Sequence, residues 1–585
     1  MSALVEQHRV ATPESPTTSV TESEALLRRS LERVLLAFVV AAALARVVLV
    51  GRLNVNWDEF YYLAQVHAAL NGGLTNALQT FHVHLFSWLV HISPNEITQI
   101  LAARGAYFAL SLGSCALLYV IARQYASRAA SLFSVLCYLS YSNLLEHGTS
   151  FRADGLVSFV TLGAIALIVR RRPGLAVASF AGVATGLAVL ITLKSVFVVP
   201  TLLLLLVLGT WDQGGRRVAF EVLAYSIAFA IATGVGVLIQ LAVVNDASAD
   251  QLATYSRRAA NVTFGSEGVL PGLPYLITTI GQNGFVWICI VAGLALARSS
   301  EFKRYRSLRD ALALYAMVLP VLSVLVYRNS FPYFYVLLIP PVLALCALPF
   351  DAIMRRAAHD ASFQRMALYL IAGVTWAFSL RFAMRLRDEV THQRRVLAAV
   401  YEVFPEPVRY IDRSSFVASY PKVGFFMTTW GMRTYLEQGD PIFEKLLTEQ
   451  KPVFLIANSP ALVLSPADTA YAGAAGYALF AEDRRVLREN FVHHWGPIHV
   501  AGKRIALSDT AVAIRVLIAG TYTVEADGPV TIDGVTYSPG TSVDVTAGPH
   551  TFANDGQGRV VTMRWGRSLR RPKGPAPQRR LFVGF

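Results

Sequence analysis

The chain has 585 residues, of which 54% are hydrophobic and only 15% are charged. Soluble globular proteins carry about 25% charged residues, so this composition excludes a soluble enzyme, a disordered chain and a small disulfide-stapled scaffold. The 52 Lys and Arg outnumber the 38 Asp and Glu, which leaves a net charge of +14. We attribute this excess to cytoplasmic loops that obey the positive-inside rule rather than to nucleic-acid binding. The sequence therefore predicts a polytopic α-helical membrane protein with one additional soluble region.

The predicted membrane part follows a polar N-terminal segment, residues 1–30, which we expect to be disordered and cytoplasmic. About 11 apolar runs are long enough to cross a bilayer. They lie near residues 34–51, 98–121, 127–146, 153–169, 174–192, 195–210, 218–243, 276–297, 311–327, 331–349 and 367–383. Arg and Lys are concentrated in alternate loops, which predicts a cytoplasmic N-terminus and, with an odd number of spans, an extracytoplasmic C-terminal region.

Two of the predicted outer loops are long. The first covers residues 52–97, and its stretch from Trp57 to Leu70 is aromatic and apolar on one face, which predicts a helix lying in the membrane interface. The second covers residues 244–275 and is interrupted before the next span by Pro271, Gly272 and Pro274.

The composition changes after the membrane part, which we assign to residues 31–384. Residues 385–495 alternate short apolar strands, such as residues 453–457, with helical patterns, such as residues 442–449, and predict a small α/β region. Residues 496–566 contain turn signals between short alternating segments, which is typical of an antiparallel β-sandwich. A basic, proline-containing tail, residues 567–585, completes the chain, and we expect it to be flexible.

Charged residues stand at the outer ends of several predicted spans. Asp58 and Glu59 directly follow the first span, and paired carboxylates at a membrane surface are costly unless they are solvated, paired or functional. A solvated helix start is an equally weighted alternative, because acidic residues favour the first turn of a helix. Arg152 and Asp154 lie at the mouth between the third and fourth spans.

Two further cations lie on the same predicted face. Lys194 stands alone between two nearly continuous apolar runs, and Arg328 precedes the aromatic segment from Phe331 to Tyr335. Acids and cations together fit a lipid-linked phosphate substrate, because cations bind the phosphate and a carboxylate serves as a general base on an acceptor hydroxyl.

These residues, in this order, resemble the polyprenyl-phosphate-sugar-dependent glycosyltransferases of the GT-C fold, which include protein O-mannosyltransferases and the lipid A aminoarabinose transferase. The resemblance covers about residues 30–350 and rests on the acidic pair, the stretch from His82 to Leu85, Arg104, Arg152 with Asp154, Leu193-Lys194, and the aromatic-proline run. Relatives often have a His-Pro-Pro-Leu-like stretch where this chain has His82-Val83-His84-Leu85, so the loop shape there is not carried over.

The resemblance implies a role for each matching residue. As catalytic residues it implies Asp58 as the general base, Glu59 as a holder of the acceptor or a metal, and Asp154 as an acid near the sugar or the metal. As donor-phosphate ligands it implies Arg152, Lys194 and Arg328, and as residues lining the lipid and sugar it implies Tyr333, Tyr335 and His84. Some relatives use a divalent cation (Mg, Mn or Ca) and others do not; Asp58 and Asp154 would be its ligands here.

The function expected from the resemblance is inverting transfer of a sugar from a polyprenyl-phosphate donor to an acceptor hydroxyl on a lipid, a polysaccharide or a protein. The expected location is the inner membrane of a bacterium, with catalysis on the outer face and no nucleic-acid partner. One alternative is a transporter or flippase of lipid-linked glycans, which should show related halves and ionisable groups at the bilayer midplane. Another is an oligosaccharide ligase with a similar surface and a larger acceptor groove.

Overall fold

The computed structural model describes residues 17–583, apart from residues 76–78, 171–172, 246–252, 254–256, 258–269, 271, 358, 474–475, 508–509 and 554–558. The helices of its membrane region are α1 (Thr17–Val50), α2 (Trp57–Leu70), α3 (Glu96–Ala122), α4 (Arg128–Ser140), α5 (Ser142–His147), α6 (Ala153–Arg170), α7 (Leu175–Ile191), α8 (Val199–Thr210), α9 (Gly215–Val243), α10 (Leu273–Gln282), α11 (Gly284–Arg298), α12 (Ser300–Tyr305), α13 (Leu308–Ala316), α14 (Leu319–Leu322), α15 (Tyr335–Val342), α16 (Ala347–Ala357) and α17 (Ala361–Arg385).

The protein is a multi-pass membrane protein. Within the described ranges, eight helical segments are long and apolar enough to cross a membrane, and the pair α10 and α11, bent by 98°, forms a ninth if it is one span. The helices α4 and α7 are apolar but shorter. Together these segments cover all of the predicted apolar runs, whereas crossing by α4 and α7 stays a prediction because a full span needs about 20 residues.

The start of the predicted membrane part differs from expectation. Helix α1 begins at Thr17, so residues 17–30 are helical, although we expected disorder there. Residues 1–16 lie outside the described residues. Most of the second outer loop also lies outside them, and within its described part Gly272 is the N-cap residue of α10.

Helix α2 has the bounds that its amphipathic pattern predicts. It begins with a capping box: the Asn56 side chain accepts a hydrogen bond from the Asp58 amide at 3.0 Å, and the Glu59 carboxylate accepts one from the Asn56 amide at 3.1 Å. Such a cap satisfies amide groups that the first turn of a helix leaves without partners. Its apolar face is buried through Phe60 and Leu63, so α2 is packed into the protein with its acidic start held in place.

The described part of the C-terminal region has five α-helices and twelve strands. They are α18 (Thr391–Val403), α19 (Thr429–Gln438), α20 (Phe443–Gln450), α21 (Thr469–Ala472), α22 (Ala481–Asn490), β1 (Tyr410–Ile411), β2 (Lys422–Val423), β3 (Phe454–Ile456), β4 (Phe491–Trp495), β5 (Ile498–Leu507), β6 (Val512–Val516), β7 (Gly520–Glu525), β8 (Val530–Ile532), β9 (Val535–Tyr537), β10 (Ser542–Val545), β11 (Gly548–Ala553) and β12 (Arg559–Trp565).

Strand β5 joins the two parts that we predicted as separate regions with a boundary near residue 496. It pairs antiparallel with β3 of the α/β part and with β12 of the β-rich part, which gives one sheet in the order β10-β7-β12-β5-β3-β1-β2, with β4 also on β5. A second sheet has the order β6-β11-β8-β9. The two sheets share an apolar core that includes Val524, Val561 and Phe552, so the predicted sandwich is present but continuous with the α/β part.

The tail after β12 forms no helix or strand as far as residue 583, where the description ends, yet it packs against the start of α2. The carbonyl of Leu581 accepts hydrogen bonds from the side-chain amides of Gln393 at 2.8 Å and Asn54 at 3.1 Å. The ring of Phe582 lies edge-on to Trp57 and Phe60, with centroids 6.0 Å apart in both cases. Leu581 is fully buried, so the expectation of a flexible tail is wrong for these residues.

Candidate active site

The two predicted carboxylates at the start of α2 face different surroundings. Successive residues of a helix do not point in the same direction, and the side chain of Asp58 is 15% exposed whereas that of Glu59 is 0% exposed. The capping box therefore places one acid toward a partly open site and the other into the protein.

Glu59 is fully engaged by hydrogen-bond donors. Its two oxygens accept bonds from Nη2 and Nε of Arg104 at 2.6 and 2.8 Å, from the amide of Phe151 at 2.9 Å and from the amide of Asn56 at 3.1 Å. A carboxylate has about four acceptor positions, so the arrangement leaves Glu59 no free position for an acceptor or a metal. This disagrees with the role that the resemblance implied, because Glu59 joins α2, α3 and the segment before α6.

The charge of Glu59 is maintained by the same partners. Burial alone would raise its pKa, but the charge of Arg104 and the hydrogen bonds from Arg104, Phe151 and Asn56 hold the pKa below its usual value. Arg104 also donates to the carbonyls of Leu53 and Asn54, at 2.8 Å each. This ion pair thus fixes the turn that leads from α1 into α2.

Arg152 connects the other two predicted acids. Its guanidinium contacts the carboxylate of Asp58 through Nη1, and its Nε lies 3.5 Å from the carboxylate of Asp154. The guanidinium carbon also lies 3.5 Å from the centre of the Tyr333 ring, a cation–π contact. Burial alone would lower the pKa of Arg152, but the charges around it, Asp58 first, raise the pKa above its usual value.

Lys194 extends this arrangement on the membrane side. Its ammonium nitrogen lies 3.2 Å from Asp154 and 4.5 Å from the centre of the Tyr333 ring. It lies in a short 3₁₀ segment, Leu193–Val198, where the chain between α7 and α8 leaves the α-helical conformation. Lys194, Asp154, Arg152 and Asp58 thus form a continuous series of alternating charges, which we call the charge chain.

Of the remaining predicted residues, the structure brings Tyr333 into contact with the charge chain. Tyr333 packs between its two cations, whereas Tyr335 is fully buried at the start of α15. Arg328 and His84 are half-buried, Arg328 in the turn beside Tyr327 and His84 in the 3₁₀ segment Phe81–His91. Their roles in binding phosphate, lipid or sugar stay predictions.

Two residues near the site, Arg104 and Arg413, have no role that the sequence predicts. Arg104 was noted only as a matching position, yet it is the partner of Glu59. Arg413 of the C-terminal region lies over the Trp57 ring, with its guanidinium carbon 3.8 Å from the ring centre. The sequence separation between Arg413 and Trp57 explains why no local pattern could indicate this contact.

A divalent cation finds little support in this arrangement. Asp58 and Asp154, the two predicted ligands, both contact the guanidinium of Arg152, and Asp154 also pairs with Lys194. Across the described ranges, no group of three or more His, Cys, Asp or Glu side chains is placed to hold a metal ion. The donor set does not fit a metal as it stands, because its carboxylates already have cationic partners.

Comparison of the sequence with protein-family models and with curated proteins finds no match. The fold, however, resembles solved structures. ArnT from Cupriavidus metallidurans bound to undecaprenyl phosphate has a TM-score of 0.52 and 16% identity, covering 72% of this chain and 92% of that chain. The oligosaccharyltransferase AglB from Archaeoglobus fulgidus, in complex with an inhibitory peptide and a dolichol-phosphate, has a TM-score of 0.51 and 12% identity, covering 92% of this chain and 97% of that chain.

An oligosaccharyltransferase structure from Archaeoglobus fulgidus in complex with Zn and sulfate is similar to the same extent, with a TM-score of 0.50 and 12% identity, covering 88% of this chain and 94% of that chain. At such identities a likeness shows the fold alone, and the activity has to be argued from the residues of the site. The fold expected from the sequence resemblance is confirmed: the chain has the GT-C fold, with a C-terminal β-rich region attached to its membrane helices.

Proposed function

We propose that this protein is a membrane glycosyltransferase that moves a sugar from a polyprenyl-phosphate donor to an acceptor hydroxyl. The observation that carries the proposal is the charge chain, which sets a partly exposed carboxylate, Asp58, beside the cations Arg152 and Lys194. The described ArnT and AglB structures hold undecaprenyl phosphate and dolichol-phosphate, which are lipid phosphates of the class that these cations fit.

In the proposed reaction the acceptor oxygen forms a bond to the anomeric carbon while the bond from that carbon to the phosphate oxygen breaks. Asp58 takes the hydroxyl proton, and the electron pair of the broken bond leaves with the polyprenyl phosphate. Arg152 and Lys194 stabilise the negative charge that develops on the leaving phosphate, since charge-assisted hydrogen bonds are the stronger kind. Attack from the side opposite the phosphate inverts the anomeric centre.

The contact between Arg152 and Asp58 gives donor binding a second effect. The guanidinium of Arg152 contacts the Asp58 carboxylate directly. A donor phosphate that binds Arg152 competes for the donors of this guanidinium and frees the Asp58 carboxylate to contact the acceptor hydroxyl. Donor binding thereby prepares the site for the acceptor.

The proposal includes the location and the cofactor. We place the charge chain on the extracytoplasmic face of a bacterial inner membrane, because the loops on the opposite face carry more Arg and Lys. The acceptor is a lipid, a polysaccharide or a protein. No step is assigned to a metal, since Arg152 already lies against both carboxylates that would bind one.

An oligosaccharide ligase is the second candidate, favoured by the AglB likeness, which covers 92% of this chain and therefore includes its C-terminal region. The two functions differ in the size of the group that is transferred. A ligase moves a preassembled glycan, whereas the proposed enzyme moves a single sugar from a lipid monophosphate.

The test is incubation of the purified protein in lipid nanodiscs with undecaprenyl monophosphoryl sugars and with lipid-linked oligosaccharides, followed by mass spectrometry of the released lipid phosphate. Release from a monophosphoryl sugar that is lost in Asp58→Asn supports the proposal. Release only from the preassembled glycan favours the ligase. If the wild type and Asp58→Asn release lipid phosphate equally, Asp58 is not the general base in either of the two candidate reactions.

A further inference from the structure

The C-terminal region places a cation, Arg413, beside the candidate site. Arg413 lies on a loop, residues 412–417, that is held by several hydrogen bonds of its own. The buried carboxylate of Asp412 accepts the side-chain amide of Asn458 at 3.1 Å, and the Asn458 oxygen accepts the amide of Arg413 at 2.9 Å. The same carboxylate accepts three successive backbone amides at 2.8–3.1 Å, those of Ser414, Ser415 and Phe416. A carboxylate that organises its own loop in this way holds the backbone in one conformation.

The loop contacts α2 at two places. Phe416 packs against Phe60, with ring centroids 4.9 Å apart, and the guanidinium of Arg413 lies over Trp57, the residue that directly precedes Asp58. Cation–π contacts of this kind orient a guanidinium without using its hydrogen-bond donors. Arg413 Nε has no hydrogen-bond partner among the described residues, although it is buried.

Arg413 lies beside the charge chain, because the Trp57 ring under its guanidinium directly precedes Asp58. Burial lowers its pKa to about 10, and the carboxylates that oppose this effect are Asp58 and Asp412, in that order. With Arg413 added, the series is Lys194, Asp154, Arg152, Asp58 and Arg413, with a cation at each end. With Asp412 included, three cations face three carboxylates, but the Asp412 carboxylate already accepts four hydrogen bonds from its own loop and from Asn458. The Nε of Arg413 therefore remains available for an anionic ligand.

The two ends of the series belong to different parts of the protein. Lys194 lies between the membrane helices α7 and α8, where the proposed function puts the lipid-linked phosphate, whereas Arg413 comes from the C-terminal region and contacts Trp57 beside Asp58. We propose that Arg413 binds an anionic group, a phosphate or a carboxylate, that the acceptor carries near its reacting hydroxyl. The inference rests on the proposed function and names the acceptor class that the function left open.

The test measures binding of small probes to the full-length protein in nanodiscs by calorimetry. The probes for the acceptor end are glucose 6-phosphate and glucuronate, with glucose as the uncharged comparison, and the probe for the donor end is undecaprenyl phosphate. The variants are Arg413→Gln, Arg413→Lys and, for the donor end, Lys194→Gln. The matched control is Arg485→Gln, which removes an exposed arginine of the same region. Thermal unfolding of each variant shows whether it is folded.

We expect the wild type to bind the two charged sugars more tightly than glucose, and Arg413→Gln to weaken that binding roughly 10–100-fold, as loss of a charge-assisted hydrogen bond would. Arg413→Lys should restore part of the binding, because it keeps the charge. Binding of undecaprenyl phosphate should be unchanged in Arg413→Gln and weakened in Lys194→Gln. Arg485→Gln should bind every probe as the wild type does.

Three results would overturn the inference. One is a wild type that binds no charged sugar better than glucose. Another is equal binding of the charged sugars by Arg413→Gln and the wild type, which would leave Arg413 as an anchor for Trp57 alone. The third is an Arg413→Gln variant that loses undecaprenyl phosphate and keeps the charged sugars, which would assign Arg413 to the donor. If Lys194→Gln binds undecaprenyl phosphate normally, the proposed function fails instead.

Discussion

Substituting Glu59 by Gln should destabilise the protein, although the change is nearly isosteric. The carboxylate accepts four hydrogen bonds, two from Arg104 and two from backbone amides. A Gln side chain has one oxygen, so it can keep the pair of bonds on one side and must turn an amide group toward the donors on the other. Loss of two bonds to a charged group, at about 1.5–3 kcal/mol each, gives about 3–6 kcal/mol.

A second estimate of how much Glu59→Gln lowers the free energy of unfolding gives a similar value. Arg104 is only 3% exposed and its partner carboxylate is 0% exposed, and removal of one member of a buried ion pair costs about 3–5 kcal/mol because the other charge is left uncompensated. We therefore expect Glu59→Gln to lower the free energy of unfolding by about 3–5 kcal/mol. The matched control is Glu402→Gln, the same change at an exposed position of α18, with an expected effect within about 0.5 kcal/mol.

The assay is unfolding in mixed detergent and SDS micelles, followed by tryptophan fluorescence at several pH values. The folded-state pKa of Glu59 is below its usual value, so its contribution is present above the unfolded pKa of about 4.3. That contribution is lost as the pH falls through the lower folded pKa, and Glu59→Gln should lack this part of the pH dependence. A Glu59→Gln variant as stable as Glu402→Gln would refute the reasoning.

Three more predictions concern the site and the tail. Asp58→Asn should lower turnover about 10²–10⁴-fold with folding intact, and near-normal release of lipid phosphate would remove Asp58 as the base. Lys194→Ala should raise the KM for the lipid donor roughly 10–100-fold; an unchanged donor KM would contradict its role. Phe582→Ala should cost about 3–5 kcal/mol of stability and lower turnover, whereas its exposed neighbour Val583→Ala should match the wild type in the same unfolding and release assays.

Local patterns predicted the membrane part well. The apolar runs and the bounds of α2 follow from periodicity and from an asparagine cap, which are signals within a few residues of one another. The same holds for β3 and α20, whose predicted positions, residues 453–457 and 442–449, agree with the structure to within one residue at each end. Such elements are specified by their own segment of chain.

The different surroundings of Asp58 and Glu59 could not be predicted from the sequence. Both acids occupy the first turn of the same helix, and only the position of Arg104, 45 residues away, shows which of them is buried and paired. The continuation of the sheet through β5 is a similar case, because turn signals indicate strands but not which strands pair across a predicted boundary. Arg413 reaches Trp57 through a fold that local patterns do not encode.

The position of the tail has a consequence for how the protein is made. Asn54 and Leu581, which are joined by a hydrogen bond, are 527 residues apart in the chain, so the start of α2 is synthesised early and its covering residues very late. Until Leu581 and Phe582 emerge, the aromatic surface of Trp57 and Phe60 has no cover from this segment, and closing so long a loop is slow. A chain cut off at residue 495 lacks this cover and strand β5 alike. Synthesis thus leaves the candidate active site without this cover until residues 581–582 have been made.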